Sequence, residues 1–273
     1  MGGGLRRAFH AAAIGLLALV VGCGGGAQGS GPSSFPFSPF PTSPGPTGQA
    51  FDNGLPCPAA TDPDVPAGSG CVTSIRADLD GDGSVDRFLV YARLGPGGMP
   101  DGWRARAVLA SGPTPEVTLP TGAAVGGVPT IYPRVVAAAD AAGGRSADVF
   151  VKLSSILFHV GGEHLIGIFG VQAGRVMPVT VAGRRLVFAS GGISRYGDGA
   201  LCSTEGGTAE FIVRHIEQTP PLSWKWTERA YRWQGLRLVP ASVRTGRLPI
   251  SLTVADPKIV PFYELRCGDV RTS

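Results

Sequence analysis

The sequence predicts an all-β protein built from about three four-stranded antiparallel repeats with a period of 62. Two observations carry this expectation. First, short runs alternate branched or aromatic residues with polar ones at period two, as half-buried strands do. Examples are Arg87–Ala92, Trp103–Ala110, Asp148–Leu153, Leu165–Val171, Phe211–His215 and Leu236–Val239. Gly, Pro and Asp separate these runs, and no long stretch has a helical period. Second, one segment recurs at a fixed step. Ala139–Leu153 follows Ala77–Tyr91 at a step of 62, and the two agree at six of 15 positions. Another step of 62 reaches Cys202–Val213. The acid recurs as Asp86, Asp148 and Glu210, then Phe88, Phe150 and Ile212, then Leu89, Val151 and Val213. Arg175–Pro178 and Arg237–Pro240 keep the same step, each after a glycine turn at Gly174 or Gly235. One unit therefore reads as strand, acidic loop, strand, longer loop and hairpin.

Composition narrows the function classes. The 273 residues include 42 Gly and 24 Pro. That is about a quarter of the chain, just under the level at which low complexity is the default reading. A hydrophobic fraction of 43% with only 16% charged residues excludes a charged disordered chain and a Lys/Glu-rich helical bundle. The net charge of +4 is too small to argue for nucleic acid.

In chain order, residues 1–22 read as an export signal. Arg6 and Arg7 give a positive start, and Ala11–Val21 is an apolar run. The run is too short to span a bilayer, which takes about 20 residues, and it suits a signal segment. Val20-Val21-Gly22-Cys23 resembles the lipobox of bacterial lipoproteins. That resemblance implies lipidation of Cys23 and a lipid-anchored place on the extracytoplasmic face of the bacterial cell membrane. Arg6-Arg7-Ala8-Phe9 also resembles a twin-arginine signal, so the export route stays open. Residues 23–50 read as a linker: 24–50 carry no charge, and close to half of that stretch is Gly or Pro. The β-repeat domain is expected over 51–273, with units at about 72–133, 134–195 and 196–250. The chain ends are left to close the array or to supply a partial fourth blade.

The first acidic loop is Asp78-x-Asp80-x-Asp82-Gly83-Ser84-x-Asp86. Four carboxylates this close repel one another unless a cation relieves them. Ca²⁺ takes six to eight oxygens, and alternating Asp residues can wrap around one point. Asp78, Asp80 and Asp82 would supply side chains, Ser84 its carbonyl, and Asp86 a direct or water-mediated contact. Gly83 permits the sharp turn. Position 12 is Leu89, so the loop is not an EF-hand. The pattern, followed by a strand, resembles FG-GAP/VCBS repeats, the type found in the integrin α-subunit propeller. The resemblance covers about 72–240, strongly in the first copy, partly in the second and faintly in the third. It implies a propeller-like array, four-stranded blades and one structural Ca²⁺ in the first loop. The second loop keeps only Asp140 and Asp148 and is expected to be metal-free. The third has Cys202 at the position of Asp78, where a covalent staple would replace a metal one.

Besides Cys23 there are four cysteines, an even number that suits disulfides in an exported chain. Three connectivities are possible. Proximity favours Cys57 with Cys71, and then Cys202 with Cys267.

No nucleophile elbow, zinc-protease motif or phosphate-binding loop occurs. His159 and His164 flank a turn-like Gly161-Gly162-Glu163, and Asp198 reads as a turn residue. Trp224, Trp226 and Trp233 read as packing residues, with a carbohydrate-type aromatic shelf as the minor reading. The expected function is a non-catalytic, membrane-tethered binding or scaffold module with an unidentified protein or glycan ligand. The alternative is an accessory or catalytic subunit of an extracellular hydrolase.

Overall fold

A computed structural model of the chain describes residues 47, 54–121, 132–158, 161–219, 222–268 and 270–272. The signal segment, Cys23, most of the linker and His159 lie outside the described residues. Thr47, near the linker's end, bridges Ser74 through backbone hydrogen bonds of 2.7 and 2.9 Å.

The described residues are all-β, with 3-10 turns in place of any longer helix. β1 (Ser69–Ala77), β2 (Asp86–Leu94), β3 (Pro100–Val108) and β4 (Glu116–Leu119) form one antiparallel sheet in chain order. The same up-and-down path follows in β5 (Arg134–Ala139), β6 (Asp148–Phe158), β7 (Gly161–Gln172) and β8 (Arg175–Pro178). Short β9 (Thr180–Val181) and β10 (Arg184–Arg185) lead to β11 (Val187–Ile193). A third path runs through β12 (Tyr196–Ser203), β13 (Glu210–Thr219), β14 (Ser223–Gln234) and β15 (Arg237–Pro249). β16 (Leu265–Cys267) and β17 (Val270–Thr272) end the chain.

Asp86, Asp148 and Glu210, the acids that recur in the sequence, are the first residues of β2, β6 and β13. β7 and β14 span 161–172 and 223–234, the same step again.

The second and third paths are not separate four-stranded sheets. β11 pairs with both β7 and β12, which joins β5–β17 into one sheet of 13 strands. Gly191 and Gly192 make this junction, at φ of 111° and 145°. A side chain at Gly191 would run into the Gly162 carbonyl of β7, so the close approach needs glycine.

Packing explains why β6 reads as a continuous buried run, Asp148–Ser155. Val149, Val151 and Leu153 join the first sheet in one core, where Phe88 meets Phe169 at 6.4 Å and Trp103 meets Tyr132 at 5.2 Å. Phe150 points into a second core with Phe188, Phe211 and Leu238. β6 is thus covered on both faces. The outer faces are covered by the chain's own end segments. Val65 packs with Leu89 and Tyr91, while Ile259 and Phe262 pack with Ile216 and Trp224. Trp224 is almost fully buried and donates its indole N–H to the Leu252 carbonyl at 2.9 Å. Trp226 stacks at a tilt on Phe262, and Trp233 sits edge-on to Phe211. These tryptophans pack, as the major reading expected. Among the described residues, no strand pairing closes a ring.

Both expected disulfides are present, Cys57–Cys71 and Cys202–Cys267. The first ties the N-terminal lead-in to β1. The second joins β12 to β16, which also pair as parallel strands.

Candidate functional site: an acidic loop between β1 and β2

The loop 78–85 is held by its own aspartates. Asp78 accepts the Gly81 N–H at 2.7 Å on one oxygen and the Gly83 N–H at 2.9 Å on the other. Asp80 accepts from the Asp82 N–H at 3.3 Å, and Asp82 from the Ser84 N–H at 2.6 Å. Short acidic side chains suit such turns because they reach backbone two or more residues on. Gly81 and Gly83 stand at φ of 81° and 88°, which ordinary side chains resist.

Asp86 closes the loop. It is 2% exposed, and its carboxylate accepts the Leu79 N–H and the Ala110 N–H, each at 2.8 Å. One buried carboxylate thus fastens both the start of the loop and the chain just beyond β3. Carboxylate oxygens of Asp78, Asp80 and Asp86 lie within 4.8 Å of one another. This triad is the part of the expected ligand set that the fold brings together. Asp82 lies outside it, its carboxylate committed to the Ser84 N–H. Desolvation, then repulsion from Asp86, Asp82 and Asp78, holds Asp80 above its ordinary carboxyl range, against the bond from the Asp82 N–H.

The loop between β5 and β6 repeats this geometry with fewer acids. Asp140 accepts the Gly144 N–H at 2.9 Å and the Arg145 N–H at 3.1 Å. Buried Asp148 accepts the Ala142 N–H at 3.2 Å. Positive φ recurs at Gly143 (71°) and Arg145 (78°), in step with Gly81 and Gly83. Burial pushes the Asp148 carboxyl up to about 7, Asp140 adds to the rise, and the Ala142 and Ala141 N–H groups oppose it. The two loops touch: Ala147 donates its N–H to the Asp78 carbonyl at 2.7 Å. In the third loop the acid is Glu210, which is partly exposed and pairs with Arg232 at 3.6 Å.

Beside the first loop, Arg87 binds the carboxylates of Asp62 and Asp64, the latter at 2.7 Å, and the Ser74 hydroxyl. This clamp fixes the lead-in next to the loop. A shallow open depression of about 310 Å³ adjoins it, with Arg76, Val85 and Val108 on its walls.

Sequence reasoning missed a second polar group. Asp198 belongs to β12 rather than to a turn, and its carboxylate meets His215 Nδ1 at 2.9 Å. The hydrogen bond to Asp198 holds the imidazole above its ordinary range. Tyr196 donates to Glu163 at 3.2 Å on the same patch. These residues come together only through strand register, which places Asp198 opposite His215 and Tyr196 opposite Glu217.

The chain matches no protein-family model, no curated protein and no solved structure.

Proposed function

We propose that this protein is a lipid-anchored, extracytoplasmic β module of the FG-GAP/VCBS type, with one structural Ca²⁺ in its first loop and a non-catalytic binding or scaffolding role. The observation that carries the reading is the convergence of Asp78, Asp80 and Asp86 within 4.8 Å. Each of the three carboxylates brings one hard oxygen to the cluster, and Ca²⁺ is a hard cation that takes oxygen ligands. Asp82 and the Ser84 carbonyl follow in the same loop as the further oxygen donors that the FG-GAP/VCBS pattern implies. The metal would bind only the folded loop and so act as a staple between β1, β2 and the end of β3.

Other features support the wider reading. The recurrence of strand starts at Asp86, Asp148 and Glu210 supports a three-unit array. So does the matching positive φ at positions 81, 83, 143 and 145. In such an array the second loop goes without metal, since Ala142 and Gly144 stand where the first loop has Asp80 and Asp82 and only Asp140 and Asp148 remain. Cys202–Cys267 takes the staple's place in the third. Two disulfides suit an oxidising compartment, in keeping with an exported chain anchored through Cys23.

The test is thermal unfolding of wild type and Asp80→Ala with Ca²⁺ or with chelator. Asp80 is exposed and holds only the Asp82 N–H, so its removal leaves the fold intact. A metal at about 100 times its Kd stabilises by about 2.7 kcal/mol, which is about 5–10 °C for a domain of this size. Wild type is expected to gain that much in Ca²⁺, and the variant to gain almost none. Equal gains in both proteins, or no gain in wild type, would overturn the reading.

A further inference from the structure

Far in sequence from the acidic loops, the middle layer carries a cluster of basic groups. Lys152 lies in β6 opposite Arg134 of β5, and Ser155 lies opposite His164 of β7. His164 is in turn opposite Ser190 of β11. Residues that oppose each other across antiparallel strands share a face. A bulge between Lys152 and Ser154 brings Ser155 back to the Lys152 side. Lys152, Arg134, Ser155, His164 and Ser190 therefore meet on one side of three strand pairs.

Lys152 is 5% exposed, yet no carboxylate answers it. Among the described residues it has no ion pair or hydrogen bond, and the only charge acting on it is the like charge of Arg134. His164 feels Lys152 and Arg134 and no acid. A buried ammonium without a partner is costly, and like charges directly opposite on a sheet destabilise it. An anion brought beside these groups would relieve both penalties. Arg134 and His164 are half-exposed, which leaves the cluster a way out to solvent.

We propose that Lys152, Arg134 and His164 bind a compact tetrahedral oxyanion, either phosphate or the phosphate group of a small phosphomonoester. The ammonium supplies up to three N–H donors and the guanidinium a planar fork, which suits an anion with several acceptor oxygens. Ser155 bonds His164 Nδ1 at 2.8 Å; when the hydroxyl donates, the Nε2–H is left as a donor. Burial, and then Arg134, pulls the unpaired Lys152 ammonium down to about 8. Burial, with the same cations, pulls His164 down to about 4, so at neutral pH the imidazole contributes a hydrogen bond and no charge. This site does not depend on the calcium reading.

The chain has three lysines, Lys152, Lys225 and Lys258. The full chain labelled with ¹³C-lysine therefore gives three sets of Cε–H resonances, assignable with Lys225→Arg and Lys258→Arg. Inorganic phosphate and glycerol 3-phosphate are titrated separately at pH 7. The expected result with at least one of them is a saturable shift of the Lys152 resonance alone, together with a rise in its titration midpoint. Arg134→Gln, at a half-exposed position, should weaken that affinity at least tenfold. A saturable shift with glycerol 3-phosphate but not with phosphate assigns the site to a phosphomonoester, and the reverse assigns it to the free ion. An unmoved Lys152 with both, parallel non-saturating shifts of all three lysines, or unchanged affinity in Arg134→Gln would overturn the proposal.

Discussion

Asp148→Asn should make the protein's stability less sensitive to pH, and the size of the effect follows from the environment of Asp148. The carboxyl is 4% exposed at the start of β6 and is pushed up to about 7 from an ordinary value of 3.8. Between those two values the folded chain keeps a proton that the unfolded chain has released. Stability from this group therefore falls as pH rises from about 4 to about 7, and the loss is complete above that. Each pH unit in that window is worth about 1.4 kcal/mol. Between pH 5 and pH 7 wild type should lose about 2–3 kcal/mol relative to Asp148→Asn, which cannot ionise and keeps an oxygen for the Ala142 N–H. Urea unfolding of both proteins, disulfides intact, at pH 5, 6, 7 and 8 measures the difference, and the shared titrations cancel. A gap between the two proteins that stays constant from pH 5 to pH 8 would refute the claim that Asp148 is buried with its charge uncompensated.

Three further outcomes are expected. Arg145 holds φ of 78° where the first loop has Gly83. Arg145→Gly should therefore stabilise the protein by about 1 kcal/mol in urea unfolding, and no gain would contradict the strain. Replacing Cys202 and Cys267 together by Ala opens a link with a sequence separation of 65. It should cost about 4 kcal/mol on the chain-entropy model, more than the about 3 kcal/mol expected for Cys57 and Cys71, and urea midpoints at equal slope rank the two. A Cβ at Gly197 would lie 2.5–2.6 Å from the Tyr263 ring. Gly197→Ala should then cost about 1–3 kcal/mol in thermal unfolding. In a Tyr263→Ala background the same change should cost much less, and an unchanged cost would place the strain elsewhere.

Much of this architecture is legible in the sequence, for identifiable reasons. β2, β3, β6, β7 and β13 are readable because their branched and aromatic residues alternate or run between turn residues. The acidic loop is readable because its aspartates are local: a short run of chain determines where Asp78 and Asp80 lie. The step of 62 between the first two loops is readable because both put residues at positive φ in the same positions, 81 and 83, then 143 and 145. Other features depend on register between distant segments. β11 is rich in Ala, Ser and Gly, carries no strong strand signal, and fuses two expected sheets through Gly191 and Gly192. The capping of outer faces by 54–65 and 250–263 follows from Val65, Ile259 and Phe262 inside Pro- and Asp-rich stretches that read as loops. Asp198 with His215, and Lys152 with Arg134, stand well apart in the chain and become neighbours only once strands pair. In the site itself, the sequence places Asp86 at the rim of the ligand set. It proves to be the buried hinge, because it also has to satisfy the N–H groups of Leu79 and Ala110.

Isothermal titration of the full chain with Ca²⁺ at neutral pH tests the central claim most directly. Saturable heat with a stoichiometry of one, lost in Asp80→Ala and retained in Asp140→Asn, is the predicted result. No heat at millimolar Ca²⁺, or the same heat in Asp80→Ala as in wild type, would contradict a calcium staple at Asp78, Asp80 and Asp86.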